Sequence, residues 1–322
     1  PACVATFKKN GSFYLTRYWD YSFHSDDDPV YSEEYYIDKY EEILTKAVRR
    51  QLDHANRICL PLSGGLDSRT LAGILHNIGY SGEVQTFSYG HPHCYDVVYA
   101  RKIAQQIGFP HYYIPVNSSY LKEYAEKFVW LMEGSVNCLN SHMVATYDFI
   151  RKNNFNSIMT GFLGDTLTGS GSFLKGIERE TDDEVVVRTQ YDLHAEIMRD
   201  KELAYYMKHE IYENVKDRTF QDKRARYYNC PSRNRYFRTR YMHLYESTKR
   251  YGGFNLYIFD FVSNVLSPFV DAEFVDFVLH VPAQLLLNQN LYKKILRKHL
   301  PEVASVPYTK TRLPLNASWL RK

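Results

Sequence analysis

Cysteine is scarce and scattered. The five cysteines, Cys3, Cys59, Cys94, Cys138 and Cys230, form no C-x-x-C pair. That spacing argues against a zinc centre, an iron–sulfur centre or a disulfide framework, and suits the cytoplasm. Long apolar runs are missing too. None reaches the roughly 20 residues of a membrane-spanning helix, and no stretch has the pattern of a signal peptide, so no membrane partner is expected. An excess of one charge is also lacking. Forty Lys and Arg against 37 Asp and Glu leave a formal net charge of +3, too little by itself to imply a nucleic-acid partner. What is abundant is aromatic surface, 16% of residues, with 29 Tyr. Tyrosine suits pocket walls and wet interfaces, although packing accounts for most such residues. The 322 residues make one large domain or two modest ones.

The stretch "CLPLSGGLDSRTLAGIL", Cys59 to Leu75, carries the first chemistry. "RICLPL" is short, apolar and partly β-branched, which predicts a buried strand. "SRTLAGILHNIG" places Leu71, Ile74, Leu75 and Ile78 at helical spacing and stops at Gly79, which predicts a helix. Ser63 to Ser68 is therefore a strand-to-helix loop. Its glycines allow a sharp turn and a close backbone approach, and the helix N-terminus adds partial positive charge. Together they make an anion site suited to phosphate. The loop is not a Walker loop, because no G-K-[ST] follows, nor a G-x-G-x-x-G fingerprint, nor a G-x-S-x-G nucleophile elbow.

The alternation continues. A helix is predicted over Ile37 to Leu52, after the polar loop "SDDDPVYSEEYY". Gly82–Gly90 reads as a strand, Asp96–Gly108 as a helix and "HYYIPV" as a strand. The expected fold class is α/β, a parallel sheet with helices on both faces, whose ligand sits at the carboxyl ends of the strands. Ser63 and Ser88 fall there. "SIMTGFLGDTLTGSGS", Ser157 to Ser172, repeats the device: a short apolar strand runs into a glycine-rich loop with one acid, Asp165. Between about 180 and 250 the strand signals vanish. The stretch is polar, helical in pattern and basic, with arginines interleaved with Tyr and Phe. Two readings stay open for it: a nucleic-acid surface, or a helical insertion whose arginines pair with acids or face an anionic substrate.

Ser-Gly-Gly-Leu-Asp-Ser, at 63–68, resembles the pyrophosphate loop (PP-loop) of the N-type ATP pyrophosphatases. Later segments narrow the resemblance to the asparagine synthetase family, a group that includes β-lactam synthetases. The 157–172 stretch is similar to that family's second signature. Leu266–Gln284 is similar to its Pro-Phe-Leu-Asp segment and the helix after it, and Leu291–Leu315 to its late pattern of Lys, Leu-Arg, Leu-Pro and a final Lys. The resemblance spans Tyr18 to Lys310 and is weakest between 180 and 250. It implies an adenine nucleotide alpha-hydrolase-like fold and an AMP- and pyrophosphate-forming amide ligase that uses ATP and Mg2+. By position, it implies that Ser63, Gly64, Gly65, Leu66, Asp67 and Ser68 bind the pyrophosphate end of ATP. Phe87 and Ser88 would border adenine or ribose, and Thr160 and Gly161 the adenylate. Asp67 and Asp165 would hold Mg2+. Lys293 would steady the departing pyrophosphate, and Lys310 would meet the charge developing in the reaction.

The implied partners are a small carboxylate, aspartate or an analogue, and ammonia or an amine. A glutaminase domain or subunit would be a further partner; nucleic acid is not expected. Residues 1–36, ending past the pair Tyr18-Trp19, resemble the segment that follows a glutaminase domain in this family. The expected division is therefore a linker at 1–36 and a synthetase domain at 37–322. One departure stands out. Where asparagine-forming members carry a glutamate, this chain has Phe162, and Thr166 replaces a second acid. A phenyl ring cannot take a proton, so carboxylate activation fits the sequence better than asparagine synthesis does. An RNA-modifying PP-loop enzyme and a non-catalytic nucleotide-binding relative are the alternatives.

Overall fold

A computed structural model describes residues 2–53, 55–169, 180, 182–193, 200–245, 248 and 252–317. The end of the second glycine loop, Ser170–Ser172, and parts of the 180–250 stretch lie outside these residues.

Five short strands form one parallel sheet. They are β3 (Arg57–Pro61), β4 (Glu83–Gly90), β5 (His111–Pro115), β6 (Ser157–Met159) and β7 (Asn264–Leu266), in the order β5-β4-β3-β6-β7. The two preceding strands, β1 (Cys3–Phe7) and β2 (Phe13–Arg17), make a separate antiparallel hairpin. Alternation along the strands feeds two cores. Ile58, Leu60 and Met159 point to one face, and Cys59, Phe87 and Ile158 to the other. Helices cover both faces, because a parallel sheet needs its crossovers buried on each side. The first face receives α1 (Glu33–Leu52), α2 (Asp67–Asn77) and α3 (Tyr95–Ile107). The second receives α4 (Tyr120–Met132) and α5 (Met143–Asn153).

The remaining helices follow β6. They are α6 (Gly164–Leu167), α7 (Asp183–Leu193), α8 (Asp200–Tyr206), α9 (His209–Val215), α10 (Arg218–Tyr228), α11 (Arg235–His243), α12 (Tyr257–Asp260), α13 (Ala272–Leu279), α14 (Ala283–Leu286), α15 (Asn290–His299) and α16 (Pro301–Ala304). Helix α1 starts four residues before the expected Ile37. Ser32 caps it by accepting a 3.2 Å hydrogen bond from the Tyr35 N–H, and Glu33 and Glu34 favour the positive end of the helix dipole. Helix α3 stops at Gly108, whose φ of 72° is the left-handed turn glycine permits. The stretch expected as a linker packs onto the domain. Phe23 is buried in the larger core, and the His24 N–H donates to the Leu279 carbonyl at 2.9 Å.

Most arginines of the basic stretch are engaged by acids or rings. Asp183 accepts from Arg235 at 2.5 Å and from Arg238 at 2.8 Å, and Glu184 pairs with Arg224 at 2.6 Å. Arg188 lies 3.7 Å from the Phe220 ring centroid, and Arg240 is fully buried and donates to the Tyr236 hydroxyl at 2.6 Å.

His111 ties β5 to β4. Its two ring nitrogens lie 2.9 Å from the Thr86 and Ser88 hydroxyl oxygens. Burial, with the nearby charge of Arg101, lowers its pKa to about 4. An unfolded histidine titrates near 6.5. Below about 6.5 the unfolded chain therefore takes up a proton that the folded chain refuses, so the contribution of neutral His111 is whole above that pH and is lost as pH falls toward about 4. Urea midpoints should fall between about pH 7 and about pH 5 in the wild type and fall less in His111→Gln. Equal drops in the two proteins would remove His111 as the cause.

Candidate active site

The strand order reverses between β3 and β6. The chain winds outward from β3 to β4 and β5, then returns to place β6 on the other side of β3. Loops leaving the carboxyl ends of two such strands diverge and open a crevice. Both glycine loops leave there, one from β3 and one from β6.

In the first loop most backbone groups are used internally. The Ser63 N–H donates to the Ser68 hydroxyl at 3.0 Å, the Gly65 N–H to the Ser63 hydroxyl at 3.1 Å, and the Gly64 N–H to Asp96 at 3.1 Å. These three N–H groups do not stand bare, as the sequence suggested they would. Helix α2 begins at Asp67 with Leu66 at its N-cap and no side-chain cap. The partial positive charge of its first turn is thus left without a capping side chain. Leu66 itself is buried in the core and offers the site its backbone alone.

The second loop nests against Asp67. A Cβ on Gly161 would lie 2.7 Å from the Asp67 Cβ, and one on Gly164 would lie 2.5 Å from its Cγ, so neither position has room for a side chain. The Asp165 N–H donates to Asp67 Oδ2 at 3.0 Å. Asp67 Oδ1 is buried with no hydrogen-bond partner among the described residues. Burial, and then the charge of Asp165, pushes the Asp67 carboxyl well above the usual carboxylate range. An orphaned buried carboxylate oxygen beside a second, exposed acid suits a hard cation. Mg2+ commonly takes one or two protein carboxylates and completes its shell with water and substrate phosphates. Asp67 and Asp165 fit that pattern; no group of three or more potential ligands occurs among the described residues.

Arg69, which the sequence reading passed over, organises the other side. It is fully buried, and its guanidinium donates to five backbone carbonyls: Gly65 at 2.7 Å, Gly64 at 2.8 Å, Val303 at 3.1 Å, Val306 at 2.8 Å and Pro307 at 2.8 Å. Burial lowers its pKa to about 10, so the group stays charged at neutral pH. The C-terminal segment is thereby tied to the glycine loop. The Thr309 N–H donates to the Gly64 carbonyl at 3.1 Å, and the Thr309 hydroxyl to Asp96 at 2.9 Å. A Cβ on Gly64 would sit 2.0 Å from that hydroxyl oxygen. Gly64 is needed for this docking, where the sequence suggested approach to a ligand. Lys310 follows Thr309 and is exposed, in a tight turn closed by the Tyr308 N–H donating to the Leu313 carbonyl at 2.9 Å. Lys293, on α15, donates to the Asn288 carbonyl at 2.5 Å. Its neighbour Tyr292 is buried and senses the Asp67 charge.

Other expected residues have different duties. The Phe87 ring is fully buried and packs 5.3 Å from Phe149, so it serves the core, and the residue lies inside β4, three residues before its end at Gly90. The Ser88 hydroxyl is buried against His111. Thr160 is buried, its hydroxyl 3.1 Å from that of Ser267 and its N–H bonded to the Leu266 carbonyl at 2.8 Å. Leu163 holds a φ of 71°, a left-handed turn uncommon for a bulky residue.

A parallel α/β domain with paired glycine loops at its switch point is of the nucleotide-binding PP-loop type. The chain belongs to the asparagine synthase family: the model of that family, described as "Asparagine synthase", matches residues 39–307. Two curated relatives match shorter stretches. Asparagine synthetase [glutamine-hydrolyzing] of Gallus gallus is 35% identical over 97 residues, 28% of this chain and 17% of that protein. The tRNA-specific 2-thiouridylase MnmA of Wolbachia pipientis wMel is 32% identical over 87 residues, 23% of this chain and 24% of that protein. The matches thus span less than a quarter of either relative. Among solved structures, NMN synthetase from Francisella tularensis is 16% identical with a TM-score of 0.32, over 69% of this chain and 97% of that one. The NH3-dependent NAD synthetase of Campylobacter jejuni subsp. jejuni NCTC 11168 is 13% identical with a TM-score of 0.31, over 70% and 96%.

Replacing Arg69 should be costly, because five buried carbonyls lose their donor. Arg69→Met should lower unfolding stability by roughly 3–5 kcal/mol in urea titrations, and Arg69→Lys should restore little, since an ammonium cannot span the fork. Wild-type stability in Arg69→Met would show that the tail docks without it.

Proposed function

We propose that the chain is an ATP-dependent ligase that activates a carboxylate as an acyl-adenylate and passes the acyl group to ammonia or an amine. The observation that carries this reading is the nesting of two glycine loops on Asp67 at the sheet's switch point. Family membership supports it. In the first step a carboxylate oxygen would attack the α-phosphorus of ATP, and the bond from that phosphorus to the bridging oxygen would break, releasing pyrophosphate. In the second an amine nitrogen would attack the acyl carbon and lose a proton, and AMP would leave.

The first turn of α2, with the Ser63 and Ser68 hydroxyls, would hold the anionic pyrophosphate end. Gly161 and Thr160 would border the adenylate. Asp67 and Asp165 would hold Mg2+, which when bound neutralises phosphate charge. Lys310, carried to the loop by Thr309, would meet charge as it develops, and Lys293 would steady the leaving pyrophosphate. Phe162 offers no proton acceptor where the family resemblance implies a glutamate, which counts against asparagine formation while leaving carboxylate activation in place. An RNA-modifying reading has less support: most of the arginines that would meet a backbone hold acids or rings, and the five scattered cysteines form no C-x-x-C pair.

ATP–pyrophosphate exchange, screened over carboxylic acids with Mg2+, tests the reading directly. Asp67→Asn, which preserves the acceptor for the Asp165 N–H, should abolish exchange, as should Asp165→Asn. Full turnover in either would remove that residue from the metal site. Lys310→Ala should keep ATP affinity and lose about a hundredfold in turnover, the mark of a contact made mainly in the transition state. A normal turnover number there would leave Lys310 a solvent lysine.

A further inference from the structure

The second loop has another side. Phe162 and Leu163 stand between the two glycines that press on Asp67, and the left-handed φ of Leu163 turns the chain there. Behind them lies a cavity of about 340 Å³, lined in part by Trp19, Tyr21, Phe162, Leu163, Leu244 and Tyr245. Its size is that of a small-molecule site, roughly 300–1,000 Å³. No lining residue among those described carries a charge. The wall is built rather than incidental. The Tyr21 ring meets Trp19 at 4.8 Å and Tyr245 at 5.6 Å, both edge-on. The Tyr245 hydroxyl donates to Asp20 at 2.6 Å, and the Tyr241 hydroxyl to the same carboxylate at 3.2 Å. Burial pushes the Asp20 carboxyl up, but the Tyr245 hydroxyl, the Tyr21 N–H and Arg17 outweigh it and hold the group below the usual range. The phenol of Tyr245 is thus spent on Asp20.

We propose that this cavity holds the body of the acid to be activated, and that the substrate is a carboxylic acid with an aromatic or bulky apolar group. The inference rests on the ligase reading. An acyl group must stay in place through both steps, so it needs an anchored body, whereas ammonia has none. Aspartate would bring a second charge against a wall whose described lining residues carry none, where the nearby cations Arg17 and Arg226 are already engaged, with Asp20 and with the Tyr245 ring. An aromatic ring would stack or meet edges with Trp19 and Phe162 instead.

The test is ATP–pyrophosphate exchange with 3-phenylpropionate, N-acetylphenylalanine and aspartate, on the wild type and on Phe162→Glu and Trp19→Ala. Aromatic acids should exceed aspartate in kcat/KM by at least about tenfold, and each variant should erase most of that margin while ATP affinity holds. Aspartate equal to or better than the aromatic acids would overturn the inference and leave the ligase reading standing. If no acid supports exchange, calorimetry with 3-phenylpropionate on the ATP-loaded protein decides. Binding that weakens at least about tenfold in Phe162→Glu supports the cavity, and binding that is absent or unchanged overturns it. Failure of ATP itself to bind overturns the ligase reading and this inference with it.

Discussion

The buried guanidinium of Arg69 is the constraint from which the rest of the site follows. A charge without water survives only when its donors are met, and here five carbonyls meet them. Two belong to the glycine loop and three to the segment that follows α15, more than 230 residues later in the chain. Loop and tail therefore share one hub. With that hub formed, Thr309 can reach the Gly64 carbonyl and Asp96, and the backbone of Lys310 follows beside the glycine loop. The backbone position of Lys310 thus follows from the Thr309 docking and the Tyr308–Leu313 turn, while its side chain is exposed.

The same economy governs the acid side. Asp67 is enclosed by the second loop so closely that two glycines are obligatory against it. One oxygen is satisfied by the Asp165 N–H, and the other has no partner among the described residues. Tyr40, Tyr292 and Tyr308 all sense its charge, and burial raises their pKa. A carboxylate set among neutral phenols and a second carboxylate is an arrangement that a cation relieves. The raised pKa of Asp67 and its suitability for Mg2+ therefore have the same physical origin.

Much of this was legible in the chain. The β-αβ alternation from Arg57 to Pro115 follows apolar periodicity and glycine stops, and its boundaries shift by only a residue or so. The two loops announce themselves by glycines after apolar runs. What the chain hid has a common cause: it depends on partners distant in sequence. Gly64 looks like a phosphate glycine, yet Thr309 fills the space beside it. Arg69 looks like an ordinary helix residue; the one hint is a charged side chain among the buried positions of a helix whose neighbours Leu71, Ile74 and Leu75 are core. Phe87 and Ser88 lie within β4, which runs on to Gly90, and strand alternation sends the ring into one core and turns the hydroxyl toward His111. Position along a strand could be read; what each side chain meets could not.

The high aromatic content takes on meaning at the same level. The basic stretch between 180 and 245 has the composition of a surface for an anionic polymer, since arginines with aromatics suit backbones and bases alike. In place those arginines are consumed locally. Asp183 alone takes two, Glu184 takes one, and Phe220 and Tyr236 take others by ring face or hydroxyl. The tyrosines facing the other way, Tyr241 and Tyr245, meet Tyr21 of the N-terminal segment and share Asp20. One insertion thus uses most of its charges to hold itself together and places Tyr245 in the wall of the cavity behind Phe162. Charge density in a sequence measures what could bind. Whether it does depends on how many of those charges folding has already spent, and here the contacts with acids and rings spend most of them.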